Sequence, residues 1–148
     1  TEYLCIFNAD GSFKPKYLRE MLDLCENRDY VYASRYLKGA GSDDDTIVTV
    51  IGNFLFTTLG KILFSLKLSD ILYTYVLGKT KSFRSLNLKS NNFCLCVELP
   101  VKMKRMNALY TDTPSHERIR IHGVKKVREF SDGLKILFGM IKLFLKIK

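Results

Sequence analysis

The sequence predicts an α/β fold with its chemistry at the carboxyl ends of parallel strands and an amphipathic helix at the end of the chain. Three observations predict it. Apolar runs at residues 3–7 and 30–34 flank a helical pattern, the order of a right-handed β-α-β crossover. The first run ends in Asn8-Ala-Asp10-Gly-Ser, so amide and carboxylate oxygens stand at a strand end. Residues 134–148 are mostly apolar, yet Lys135, Lys142 and Lys146 fall seven and four residues apart on one helical face.

Each element follows from local pattern. Residues 3–7 read as a short buried strand. Over 15–26, Leu18, Met21, Leu22 and Cys25 recur at helical spacing, with Pro15 placed to open the helix. Residues 30–34 form the second strand, and the crossover pairs it in parallel with the first. Ligands of such sheets gather beyond the carboxyl ends of the strands, where Asn8, Asp10 and Arg35 fall. Residues 39–45, Gly-Ala-Gly-Ser-Asp-Asp-Asp, suggest a mobile loop whose aspartates suit a helix start. A long, very apolar helix is expected at 46–66, with Gly52 and Gly60 inside it. Residues 69–79 read as irregular and 82–88 as a short helix. Residues 93–104 read as a helix or a strand-helix junction, with Pro100 in the helix's first turn. A last strand at 107–111, a basic loop at 113–126 and a helix from 127 complete the chain.

The chain has 148 residues, 47% of them hydrophobic, enough to bury a core. Its net charge of +9 points to an anionic partner: nucleic acid, a phosphate-rich substrate or an acidic membrane. No nucleic-acid motif accompanies the charge, and many of the Lys and Arg residues lie after residue 102 beside an apolar helix, so nucleic acid is disfavoured. Cys5, Cys25, Cys94 and Cys96 match no zinc spacing and read as reduced structural thiols. Only His116 and His122 are available for histidine chemistry. Asn8 and Asp10 offer hard oxygen ligands suited to Mg²⁺ or Mn²⁺, although Asn-x-Asp-Gly is also a common turn. The closing helix fits the interface of an anionic bilayer, a core helix with a solvated lysine stripe, or the start of a longer membrane segment.

Taken together, several segments resemble family 2 glycosyltransferases of the dolichyl- or polyprenyl-phosphate sugar transferase type. Residues 8–15, Asn-Ala-Asp-Gly-Ser-Phe-Lys-Pro, resemble the family's D-A-D motif, and 31–36 its strand ending in Ser-Arg. Ile51-Gly-Asn-Phe-Leu-Phe is similar to its G-N-x-L-F helix, and 69–72 with 81–88 to its D-x-x-(T/S)-G stretch. Residues 93–100 resemble its F-x-x-x-x-E segment, and 132–137 the start of its interface helix. The resemblance implies the C-terminal portion of a GT-A domain, a Rossmann-like mixed sheet with flanking helices, whose first half is absent. It divides the chain into a partial catalytic domain at 1–126 and a membrane-interface helix at 127–148.

The resemblance implies a metal-assisted, inverting transfer from a UDP- or GDP-sugar to a polyprenyl or dolichyl phosphate at the cytoplasmic face of a membrane. The protein would be peripheral, or integral if spans follow Lys148. Asp10, Arg35 and Glu98 are the expected catalytic residues, with Asn8 and Asp10 holding the metal. Arg35, Asn53, Asp70, Arg118, Arg120, Lys125 and Lys126 are expected to bind substrate. The bland roles are a surface arginine for Arg35 and a salt bridge or cap for Asp70 and Glu98; Asp43, Asp44 and Asp45 could form a second cation cluster, with a solvated helix start the favoured reading. Asn8 replaces the family's first Asp, and the clear T-G-x-R pattern is missing, leaving Lys79 and Lys81 as stand-ins. Competing expectations are a glycan acceptor, which needs a general base, an inactive membrane-associated relic, and a basic nucleic-acid-binding protein.

Overall fold

The computed structural model describes residues 1–123 and 128–145. Its first elements are β1 (Tyr3–Ile6), α1 (Tyr17–Cys25), β2 (Tyr30–Ser34), β3 (Gly41–Ser42) and α2 (Ile47–Phe64). Then follow β4 (Val76–Lys79), α3 (Thr80–Ser85), α4 (Leu95–Arg105), β5 (Tyr110–Pro114), β6 (His116–Glu117) and α5 (Glu129–Phe144). The fold is mixed α/β, with a four-stranded sheet ordered β1-β4-β2-β5, a separate β3-β6 pair and flanking helices.

Alternation along β2 divides the interior in two. Tyr30 and Tyr32 face a core built with Leu99 and Met103 of α4 and Ile136 and Met140 of α5. Val31 and Ala33 face the other side, against Met21 and Cys25 of α1 and Tyr75 and Leu77. All five β2 residues are buried, as a central strand covered on both faces requires.

β1 and β2 run in the same direction but are not paired, contrary to the expected parallel pair. β4 lies between them, antiparallel to both, and the parallel partner of β2 is β5. Residues 69–79, expected to be irregular, therefore contain a central strand. Its sequence signal was Tyr73-Thr-Tyr-Val-Leu, rich in aromatic and β-branched residues but followed by Gly78. That glycine reflects close packing, since a Cβ there would lie 2.6 Å from Tyr30 Cδ1 and 2.7 Å from the Asp29 carbonyl. Pro100 sits inside α4 rather than in its first turn. The loop expected to be mobile contains β3, which pairs with β6.

Thr46 caps α2 by accepting the Thr49 N–H at 3.1 Å, and Ser65 ends it in a left-handed conformation with φ 54°. The inward face of α2 is narrow: Asn53, Thr57 and Gly60 are its buried residues. Gly60 permits close approach, because a Cβ would meet Ile71 and Leu66 at 3.2 Å. Ile47, Ile51, Phe54, Leu55 and Ile62 are exposed. α5 lies alongside in the same direction: Thr46 donates to Glu129 at one end, and the Phe64 and Phe144 rings meet edge-on at the other. Phe130, Leu134, Phe138 and Ile141 of α5 extend the exposed apolar surface. By length and composition α2 is apolar enough to cross a membrane.

Candidate functional site

Three loops meet beyond the carboxyl ends of β1, β2 and β5: residues 8–12, 35–45 and 115–123. The first is a tight turn. The Ser12 N–H and hydroxyl both donate to Asp10 Oδ1, at 3.0 and 2.7 Å, and Gly11 takes φ +83°. The third loop is stitched onto it. Ile121 and His122 N–H groups donate to the Asp10 carbonyl at 2.8 and 3.2 Å, and Arg118 Nε donates to the Gly11 carbonyl at 2.6 Å. Burial pushes the Asp10 carboxyl up, but the Ser12 hydrogen bonds and the charge of Arg120 outweigh it and hold the group below its ordinary value. Asn8 is exposed on the same turn.

Arg35 occupies the end of β2 and is enclosed by carboxylates. Its Nε donates to Asp70 at 2.8 Å, and its Nη1 donates to Asp45 at 2.9 Å and to Glu117 at 3.1 Å. The guanidinium also lies 4.6 Å from the Tyr73 ring centroid. Burial disfavours its charge, yet Asp70, Glu117 and Asp45 more than compensate and fix it as a cation. Burial is the stronger influence on Glu117, which titrates above its ordinary value despite Arg35 and Ser42. Direct binding of a phosphate by Arg35 would require displacing at least one of these partners.

The second and third loops are strapped together. Beyond the β3-β6 pairing, Ser42 donates to Glu117 at 2.9 Å, His116 lies 2.9 Å from Asp43, and Arg120 donates to Asp44 at 2.5 Å. Asp43, Asp44 and Asp45 therefore hold loop partners rather than forming a solvated helix start. Carboxylates outnumber guanidinium groups here: Asp10, Asp43, Asp44, Asp45, Asp70 and Glu117 face Arg35, Arg118 and Arg120, in a chain of net charge +9.

The remaining expected residues scatter. Asn53 is buried on α2 and joins the cluster through Tyr36, donating to its hydroxyl at 3.4 Å. Tyr36 in turn donates to Asp45 at 2.8 Å. Asp70 is brought to Arg35 and also accepts the Tyr73 N–H. Glu98 goes elsewhere: it accepts the Lys89 and Ser90 N–H groups at 2.9 and 2.7 Å and pairs with Lys102 at 2.6 Å. Burial raises its pKa, but those bonds dominate and bring it down to about 2. Lys79 pairs in register with Tyr3 at the amino end of β1, away from Asp10, and Lys81 follows it into α3, so neither is placed to stand in for a strand-end cation. Lys125, Lys126 and Lys146 lie outside the described residues. Glu117 and Tyr36 joined the site unannounced; the only sequence hint of Glu117 was a carboxylate between His116 and Arg118 in a basic loop.

No family model matches this chain, and no curated protein does. Among the described residues no group of three or more His, Cys, Asp or Glu side chains is arranged to hold a metal ion. Asn8 and Asp10 could supply two oxygens at one strand end. That fits Mg²⁺ or Mn²⁺ if diphosphate and water complete the shell, as such ions commonly permit.

Proposed function

We propose that this chain is the acceptor-side portion of a GT-A-type glycosyltransferase that moves a sugar from a UDP- or GDP-sugar to a polyprenyl or dolichyl phosphate, with inversion. The observation that carries the reading is a juxtaposition. An acidic strand end built from three loops opens beside the exposed apolar surface of α2 and α5, and Tyr36 and Asn53 join the two. A water-soluble acceptor would not call for that neighbour. The two-helix surface suits the interface of an anionic membrane, with the exposed Lys135 and Lys142 beside it.

The chemistry asks little of a general base. A lipid phosphate is already anionic at neutral pH, and its oxygen attacks the anomeric carbon from the face opposite the leaving group. The new C–O bond forms as the bond to the nucleotide diphosphate breaks, and the bonding electron pair leaves with the diphosphate. The protein's part is positioning and charge compensation. Asn8 and Asp10 would hold Mg²⁺ or Mn²⁺, which when bound neutralises the departing diphosphate. Arg118 holds the turn that presents Asp10, through its bond to the Gly11 carbonyl. Arg120, paired with Asp44, is the cation of the third loop best placed to exchange that partner for a phosphate oxygen. Arg35 fixes Asp45, and through it Tyr36, on the acceptor side.

The test uses membranes containing the protein at its full encoded length. Labelled UDP- and GDP-sugars are supplied with Mg²⁺ or Mn²⁺, with and without EDTA, and label is sought in solvent-extracted lipid. Label that requires the cation and disappears in Asp10→Ala supports the reading. Label in polysaccharide alone points to a glycan acceptor. A second reading, an inactive membrane-associated relic, draws on the enclosure of Arg35 by three carboxylates. It predicts no label in either fraction and no thermal stabilisation by cation and nucleotide.

A further inference from the structure

Beside the Arg35 cluster, a cavity of about 180 Å³ opens along α2, lined among others by Tyr36, Asn53, Phe54, Thr57, Thr58 and Lys61. Its inner wall is polar and already organised. Asn53 donates to the Tyr36 hydroxyl at 3.4 Å, and the Thr57 hydroxyl donates to Asn53 Oδ1 at 3.4 Å. Its rim is apolar: Phe54, 70% exposed, leads onto the open surface of α2. Lys61 is the only cation of the lining, and it has no carboxylate partner among the described residues.

We propose that this cavity binds the phosphate of a single-chain lipid monophosphate, with Lys61 as its countercharge and Phe54 turning the hydrocarbon onto the α2 surface. The inference rests on the lipid-phosphate reading above and names a residue for it. Three properties converge on this ligand. Lys61, the one cation of the lining and without a carboxylate partner among the described residues, suits a small anion, whereas the enclosed Arg35 is already surrounded by three carboxylates. At about 180 Å³ the cavity has room for a phosphate and the first carbons of a chain. The apolar rim is continuous with exposed apolar helix rather than with the acidic loops, so the chain leaves away from the donor side. Lys61 also stands in the last turn of α2, where its charge offsets the helix dipole. That role alone predicts a change in stability and none in ligand binding.

The experiment measures binding of farnesyl phosphate, farnesol, inorganic phosphate and phosphatidylglycerol vesicles by calorimetry at fixed ionic strength. It compares the wild-type chain with Lys61→Ala and Lys61→Arg, and thermal unfolding is recorded for each. Farnesyl phosphate should bind at least tenfold more tightly than farnesol or phosphate. Lys61→Ala should weaken that binding at least tenfold, Lys61→Arg should restore it to within about threefold, and vesicle binding should change less than twofold. Equal farnesyl phosphate binding by wild type and Lys61→Ala overturns the site, as does binding accounted for by phosphate alone or by vesicles alone. The two levels separate cleanly. Sugar transfer to lipid that ignores Lys61 removes this site and leaves the enzyme, whereas Lys61-dependent binding without any transfer keeps the site and removes the transferase.

Discussion

Replacing Arg35 with methionine tests whether the strand-end cluster is organised by one cation. The side chains of Arg35, Asp45, Asp70 and Glu117 are 7, 8, 0 and 10% exposed, so methionine leaves three carboxylates with little access to water. Removing one partner of a buried ion pair costs about 3–5 kcal/mol. Asp70 keeps the Arg35 and Tyr73 backbone N–H groups, at 3.3 and 3.2 Å, which argues for the lower end, near 3 kcal/mol. The pH dependence has a definite sign. Burial already raises Glu117 against the opposing charge of Arg35, so losing the guanidinium raises it further, and a raised folded pKa of a carboxyl lowers stability as pH rises through it. The deficit relative to wild type should therefore be largest at neutral pH and shrink towards acid. Urea unfolding followed by circular dichroism at pH 7 and at pH 4.5 measures both quantities. A variant within about 1 kcal/mol of wild type at pH 7 refutes the reasoning, as does a deficit that fails to shrink at low pH.

Other outcomes follow from the same contacts. Glu117→Gln should cost under about 1 kcal/mol in urea unfolding, because it removes one of three negative charges around one guanidinium and relieves a carboxylate that burial already pushes up. Glu98 titrates at about 2, so its stabilising contribution is complete above its unfolded pKa and is lost as pH falls from there towards 2. Glu98→Ala should cost about 1–3 kcal/mol at pH 7, by orphaning the Lys89 and Ser90 N–H groups, and less by pH 2, where protonation has weakened the wild-type bonds. Gly11→Ala places a Cβ 2.9 Å from Ile121 at φ +83°, so a loss of about 1–2 kcal/mol and faster amide exchange across residues 118–122 are expected. On the proposed transferase reading, Asn8→Asp should lower the Mn²⁺ concentration needed for half-maximal sugar transfer at least threefold, and an unchanged requirement would remove Asn8 from the proposed metal site.

The layout was legible where local pattern dominates. β2 occupies the expected residues 30–34, and α1 and α2 lie within the expected spans, because helical spacing, Pro15 and a long apolar run are written locally. β4 was not legible. Whether Tyr73-Thr-Tyr-Val-Leu forms a strand depends on the slot between β1 and β2, and Gly78 signals that slot only once Tyr30 is seen against it. Asp10 and Arg35 were singled out from their positions at strand ends, and both stand at those ends. What surrounds Arg35 could not be read, since Asp45, Asp70 and Glu117 reach it from 10, 35 and 82 residues away. Glu98 illustrates the converse. Its carboxylate looked available in sequence, but the loop it caps, Lys89 and Ser90, is set by a fold in which α4 begins just beyond it.

β4 also acts as a ruler. A single antiparallel strand inserted between β1 and β2 sets their axes two strand spacings apart, about 9.6 Å. Asp10 follows the first and Arg35 the second, so the interval between these two strand ends belongs to the backbone ladder. Beneath the gap, Phe13 stacks on Tyr75 at 4.8 Å and packs against Tyr73 at 4.7 Å, an aromatic floor that resists collapse. Substitutions in the three loops can then change how fast the site opens, or what enters it, while the distance across it stays as the sheet dictates.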